Sequence, residues 1–149
     1  MGLKRQHSVQ FNSEVLFMNY IQENEHMKLS TLLKELQDTT IIDALDRKGL
    51  SATHWAAIKG FPDVIDVLER FGANINVCDP FGWTPLHAAV VTNNIQCVHK
   101  LLQLNADIYA LTKNGESVFD WPVEDDVLNT LKEHIRDHID GSEMKSTDI

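Results

Sequence analysis

Cysteine is almost absent: Cys78 and Cys97 are the whole complement of the 149 residues. The two stand at different points of the repeat described below and do not read as a disulfide framework. A reducing compartment fits, cytoplasmic with the nucleus also open. Long apolar runs are missing as well. None reaches the roughly 20 residues that span a bilayer, and the start lacks the charged-then-apolar order of a secretory leader. Neither membrane insertion nor secretion is expected. Met1-Gly2 invites N-myristoylation, but Gln6 stands where Ser or Thr is wanted.

Basic charge is scarce too. Thirteen Lys and Arg against 22 Asp and Glu leave a formal net charge of -9. That balance argues against nucleic acid and anionic membranes as partners and leaves basic protein surfaces open. Much of the acid follows Gly115, notably Glu124-Asp125-Asp126, Glu133, Asp137, Asp140, Glu143 and Asp148, and reads as a solvated capping face. Machinery for chemistry is wanting: there is no Gly-rich phosphate loop and no nucleophile elbow. His134 and His138 share a helix face at i,i+4, but no third ligand or metalloprotease glutamate accompanies them. Neither a metal site nor a cofactor is expected, and an enzyme is the poorest reading.

What the chain does hold is a period. Gly49, Gly82 and Gly115 fall 33 residues apart, and the text after each keeps step. The clearest stretch is Gly82-Trp83-Thr84-Pro85-Leu86-His87-Ala88-Ala89, foreshadowed by Gly49-Leu50-Ser51-Ala52-Thr53-His54-Trp55-Ala56-Ala57. Phe71-Gly72-Ala73-Asn74-Ile75-Asn76 is answered by Leu104-Asn105-Ala106-Asp107-Ile108-Tyr109. Thr84 can cap a helix whose first turn is pre-set by Pro85. Ile95 to Leu102 supplies a second helix with apolar residues at helical spacing, matched one repeat earlier by Val64, Ile65, Val67 and Leu68. Gly72 and Asn105 stand where that second helix should stop in a left-handed residue.

A repeat of this length with a T-P-L-H-type signature resembles ankyrin repeats. The resemblance implies an all-α ankyrin-repeat solenoid of about four helix-turn-helix repeats, at about 13–47, 48–80, 81–113 and 114–140. An extended N-terminal peptide, 1–12, precedes it, and a disordered tail, 141–149, follows. It also implies that His54 and His87 bond across to neighbouring backbone as structural residues. The outer repeats are imperfect. Glu14 to Ile21 and Leu29 to Leu36 form the first pair of helices. Leu33 precedes Leu68 by 35 residues rather than 33, which predicts a longer loop around Asp38 to Asp43. Trp121-Pro122 breaks the first helix of the last repeat, because an interior proline removes a bond and clashes with the preceding turn. Val127-Leu128 and Leu131 to Ile135 remain to cover the final apolar face.

Ahead of the stack stands Lys4-Arg5-Gln6-His7-Ser8-Val9-Gln10-Phe11. A basic residue followed by V-x-F resembles the docking motif shared by many protein phosphatase 1 regulators. Such a peptide adds to a sheet edge, while Val9 and Phe11, on one side of a strand, enter apolar pockets. The same pattern at Val15-Leu16-Phe17 follows Glu14 inside a helix and reads as core, and Val9 and Phe11 could equally staple the N-terminus onto the first repeat. A V-x-F element immediately before an ankyrin stack is similar to the myosin phosphatase targeting subunits. Phe11, Val15-Leu16-Phe17, Asp46, Gly49 and His54 follow their early pattern, and Asp120, in the place of the histidines, resembles their closing repeat. The length is closer to small subunits holding little beyond motif and repeats.

The resemblance implies a non-catalytic subunit whose partner is the protein phosphatase 1 catalytic subunit, bound through His7, Ser8, Val9, Gln10 and Phe11. A further substrate or targeting protein is left open. His7 is a weaker cation than the usual Lys or Arg, and too few residues precede it for the upstream element of the large subunits. Their long C-terminal region has no counterpart here, so myosin targeting is not carried over. Arg5-Gln6-His7-Ser8 has basophilic-kinase spacing, and a phosphate on Ser8 should weaken docking at an apolar pocket. Counting by the repeat places Trp55, Ile58, Phe81, Trp83, Val91 and Glu116 near the concave face, where aromatic anchors are typical of interfaces. The alternative is a general ankyrin adaptor that binds another protein on that face, with the V-x-F accidental.

Overall fold

The computed structural model describes residues 13–146, with side chains through Ile139. The docking peptide His7–Phe11 lies outside the described residues. Among the described residues there are seven helices and no strand. They are α1 (13–22), α2 (His26–Glu35), α3 (Ala52–Lys59), α4 (Pro62–Arg70), α5 (Pro85–Val91), α6 (Ile95–Gln103) and α7 (Asp125–Ser146). Second helices α2, α4 and α6 pack in a row that α7 closes, and first helices α3 and α5 lie side by side. This is the expected all-α ankyrin-repeat fold.

Local chemistry explains four of the helix boundaries. Ser51 and Thr84 cap α3 and α5 by accepting the backbone N–H of His54 and His87, each at 3.3 Å. Such a cap contributes about 1 kcal/mol. Helices α4 and α6 bury one stripe each, Val64, Ile65, Val67 and Leu68 in one, Cys97, Val98, Leu101 and Leu102 in the other. Full burial of such a side chain stabilises by about 1.5–3 kcal/mol. Both helices stop the same way. Gly72 (φ +97°) and Asn105 (φ +64°) are left-handed, and Ala73 N–H and Ala106 N–H reach back to the Leu68 and Leu101 carbonyls, each at 2.9 Å. That is a Schellman ending, which satisfies carbonyls the helix leaves unpaired.

The two histidines bolt consecutive repeats together. The Ser51 N–H lies 3.3 Å from His54 Nδ1, so Nδ1 accepts and Nε2 carries the proton. Nε2–H then donates to the Trp83 carbonyl in the next repeat at 2.8 Å. His87 repeats the arrangement with Thr84 N–H at 3.4 Å and the Glu116 carbonyl at 3.3 Å. Burial holds both imidazoles below their ordinary value against the pull of these carbonyls and of Asp79.

The end repeats depart as expected. The loop between α2 and α3 covers residues 36–51 where its counterpart between α4 and α5 covers 71–84, the extra length predicted around Asp38–Asp43. In the last repeat a turn at 118–120 replaces the first helix, and the chain becomes helical again at Asp125, beyond Pro122. Val127 and Leu131 are buried and Ile135 packs on the core. Helix α7 continues past Asp140 to Ser146. Cys97 is buried against the Ala56 carbonyl, and burial pushes its thiol up to about 11; both cysteines are free.

Candidate partner-binding surface

Three fingers project between the helices, and one residue organises each. Asp46 Oδ1 accepts the N–H groups of Lys48 and Leu50, both at 2.9 Å. One period on, Asp79 Oδ1 accepts from Phe81 at 2.9 Å and Trp83 at 2.8 Å. Thr112 stands at the third position and accepts from Glu116 N–H alone, at 3.2 Å. A short carboxylate that bonds backbone two and four residues on fixes a tight turn without neighbouring strands. The glycine ladder lets successive fingers touch. Gly82 holds φ +79°, and a Cβ there would sit 2.8 Å from Lys113 N, whose N–H donates to the Phe81 carbonyl at 3.0 Å.

The sequence-predicted face divides in two. Phe81, at a finger tip, is 69% exposed and Val91, at the end of α5, is 38% exposed. Trp55, Ile58, Trp83 and Glu116 are half-buried. The Trp55 indole N–H donates to Asp46 Oδ2 at 2.6 Å with the Lys48 ammonium 5.6 Å above its ring, so Trp55 braces its own finger. Burial alone would raise Asp46, but bonds from Leu50, the Trp55 indole and Lys48 together hold its carboxyl below the ordinary value. Trp83 packs against Trp121, centroids 5.0 Å apart. Glu116 gives its carbonyl to His87 and its carboxylate to the Thr112 hydroxyl at 3.3 Å. The His134 and His138 rings lie 4.1 Å apart at a tilt, and His138 Nδ1–H donates to the His134 carbonyl at 2.9 Å. Among the described residues no group of three His, Cys, Asp or Glu is placed to hold a metal.

Sequence reading missed two features. Tyr109 and Leu111, 68% and 59% exposed, lead into the third finger; apolar side chains where the repeat before holds Asn76 and Cys78 were the available signal. The larger one is a groove between α1 and the loop after α2, an open cavity of about 800 Å³ lined by Phe17, Met18, Leu36, Ile41, Leu45 and Leu50 among others. It lies in the degenerate repeat, where no period predicts a shape.

Fingers, capped first helices and an open apolar groove define a repeat-built recognition protein. The chain belongs to the ankyrin-repeat family: three copies match over residues 17–133. It is 29% identical to mouse protein phosphatase 1 regulatory subunit 27 over 109 residues, 73% of this chain and 70% of that one. Against mouse protein phosphatase 1 regulatory subunit 12A identity is 33% over 113 residues, 75% of this chain but 11% of that protein. Human BCL-6 corepressor-like protein 1 is 30% identical over 101 residues, 68% of this chain and 6% of its own length. The chain thus spans most of the first relative's length and a small part of the other two. No helix among the described residues is long and apolar enough to cross a membrane.

Proposed function

We propose that this chain is a non-catalytic regulatory subunit that binds the protein phosphatase 1 catalytic subunit through His7–Phe11 and uses its repeats to modulate activity or substrate choice. Kinship with two regulatory subunits of that phosphatase, over 73% and 75% of the chain, carries the reading. The V-x-F peptide directly ahead of α1 supplies the contact chemistry: main-chain pairing along an extended segment, with Val9 and Phe11 entering apolar pockets on one side. The fingers and first helices form the second half of the grip, with Phe81 and Val91 as its exposed apolar contacts and Trp55, Ile58, Trp83 and Glu116 shaping the ground beneath. A buried, alkaline-shifted Cys97 and an unpaired, exposed Cys78 suit work in the reducing cytoplasm. A pull-down comparing the natural chain with Val9→Ala/Phe11→Ala tests the reading. Capture of the phosphatase should fall at least about tenfold in the variant, the loss of two apolar anchors.

A second reading has its own support. BCL-6 corepressor-like protein 1 carries related repeats without being a phosphatase subunit by name, so the stack alone suits a general adaptor. Equal capture by both chains transfers the conclusion to that reading.

A further inference from the structure

We propose that the groove beside α1 is an internal docking site for residues 1–12 of this same chain, with Phe11 and Val9 as the side chains that fill it. The contact stands independently of the phosphatase reading; its regulatory consequence rests on that reading.

The groove asks for an apolar cover. Phe17 and Met18 of α1 line it together with Leu36, Ile41 and Leu45, and Leu45 leaves 49% of its surface to water. Contiguous apolar surface of this kind marks an interaction site, and about 800 Å³ is a volume that takes several side chains. The segment before Ser13 is placed to supply them. Ser13 itself lines the groove, and residues 1–12 join the chain at that point. At no more than about 3.6 Å per residue, Phe11 lies within ~7 Å and Val9 within ~14 Å of Ser13. Their spacing of two residues turns both side chains to one face of an extended segment.

Charge points to the same occupant. Residues 1–12 carry Lys4 and Arg5 and no Asp or Glu. Among the described residues, the ionisable side chains that line the groove are Glu14, Asp38 and Asp46, all acidic. Bonds from the Thr40 N–H and hydroxyl hold the Asp38 carboxyl below its ordinary value, and Asp46 is lowered by its own bonds against burial, so both are ionised at neutral pH. A second copy of this chain, itself at -9, would meet repulsion at that rim.

Val9 and Phe11 cannot fill the groove and a phosphatase pocket at once. The peptide is therefore covered in the free chain, and apparent affinity for the phosphatase scales with the open fraction.

Amide hydrogen exchange on the full chain tests the contact without any phosphatase. In Val9→Ala/Phe11→Ala, the amides of α1 and of residues 36–46 should exchange roughly five- to tenfold faster, as when a state closed about 80–90% of the time is opened. The increase should be the same at low and high protein concentration. Unchanged exchange overturns the proposal, and so does protection that grows with concentration, which assigns the groove to a second copy. Leu45→Glu works from the other side, on a loop residue exposed enough to keep the fold. It should raise apparent affinity for the phosphatase catalytic subunit by the same roughly five- to tenfold; an unchanged affinity overturns the masking. The two readings fail separately. Faster exchange with no phosphatase capture keeps the groove contact and sinks phosphatase docking, whereas motif-dependent capture with unchanged exchange does the reverse.

Discussion

His54 and Asp120 occupy the same place in the 33-residue period, two repeats apart, and each accepts the backbone N–H three residues before it. Ser51 N–H reaches His54 Nδ1 at 3.3 Å, and Ser117 N–H reaches Asp120 Oδ2 at 2.6 Å. The histidine then does a second thing, donating Nε2–H to the Trp83 carbonyl of the next repeat at 2.8 Å. An ionised carboxylate accepts and has no proton to give, so Asp120 ends the relay that His54 and His87 carry. The fingers change in the same direction. Asp46 and Asp79 each accept two backbone N–H groups, Thr112 one. An inner repeat is bonded forward to its successor; the closing repeat keeps the turn chemistry and drops the link. Periodic text thus encodes neighbours as well as shape, which is the nearest-neighbour logic of a repeat stack.

The largest test of that difference is to remove the two side chains in turn. His54→Ala deletes a fully buried imidazole, opens a cavity and strips the Trp83 carbonyl of its donor. It should cost about 3 kcal/mol in urea unfolding. Asp120 is exposed, and Asp120→Ala should cost about 0.5–1 kcal/mol, the net worth of one solvent-exposed hydrogen bond. Equal losses would show that the relay adds nothing to the stack.

A smaller contrast lies in the glycines. Gly82 and Gly115 share φ near +79°, but a Cβ at Gly82 meets Lys113 N at 2.8 Å while one at Gly115 meets nothing within 4 Å. Gly115→Ala should cost about 1 kcal/mol, the left-handed penalty alone. Gly82→Ala adds displacement of the next finger and should cost about 2 kcal/mol or more. Thermal unfolding of both variants reads the difference, and a Gly115→Ala loss as large as that at Gly82 would assign the whole effect to backbone strain.

How legible each part was follows from the same contrast. Gly72 and Asn105 as helix stops, Thr84 as a cap and Pro122 as a breaker were readable because each acts through its own backbone within a few residues. His54 and His87 were readable only through resemblance, since their partners stand 29 residues away. Trp55 and Trp83 were placed on a binding face by counting alone. The structure finds Trp55 bonded to Asp46 and Trp83 packed at a tilt against Trp121, contacts that a period cannot reveal. The groove beside α1 was invisible for the opposite reason. Its residues are ordinary core types in a repeat that departs from the 33-residue period, and its lining draws on the longer loop. The V-x-F peptide, Val9 to Phe11, lies outside the described residues.

The finest probe of inner against closing repeats is pH. Burial lowers both His54 and His87 from the ordinary 6.5, against bonds to the Trp83 and Glu116 carbonyls and nearby acids. A histidine depressed in the folded state binds its proton better in the unfolded one. Its contribution is therefore complete above pH 6.5 and is lost as pH falls through the folded value. Asp38 and Asp46 are held below 3.8 and act in a separate, more acid window. His134 in α7 shifts as the inner histidines do, from burial and from His138 beside it, but stays half-exposed. Urea midpoints should thus fall between pH 7 and pH 5, and the fall should be shallower in His54→Gln or His87→Gln, which remove a titrating group from the relay. Amide exchange locates the effect: acid should loosen α3 and α5 before α7. A slope unchanged by both substitutions, or loosening that starts in α7, would place the acid sensitivity in the closing helix instead of the links between inner repeats.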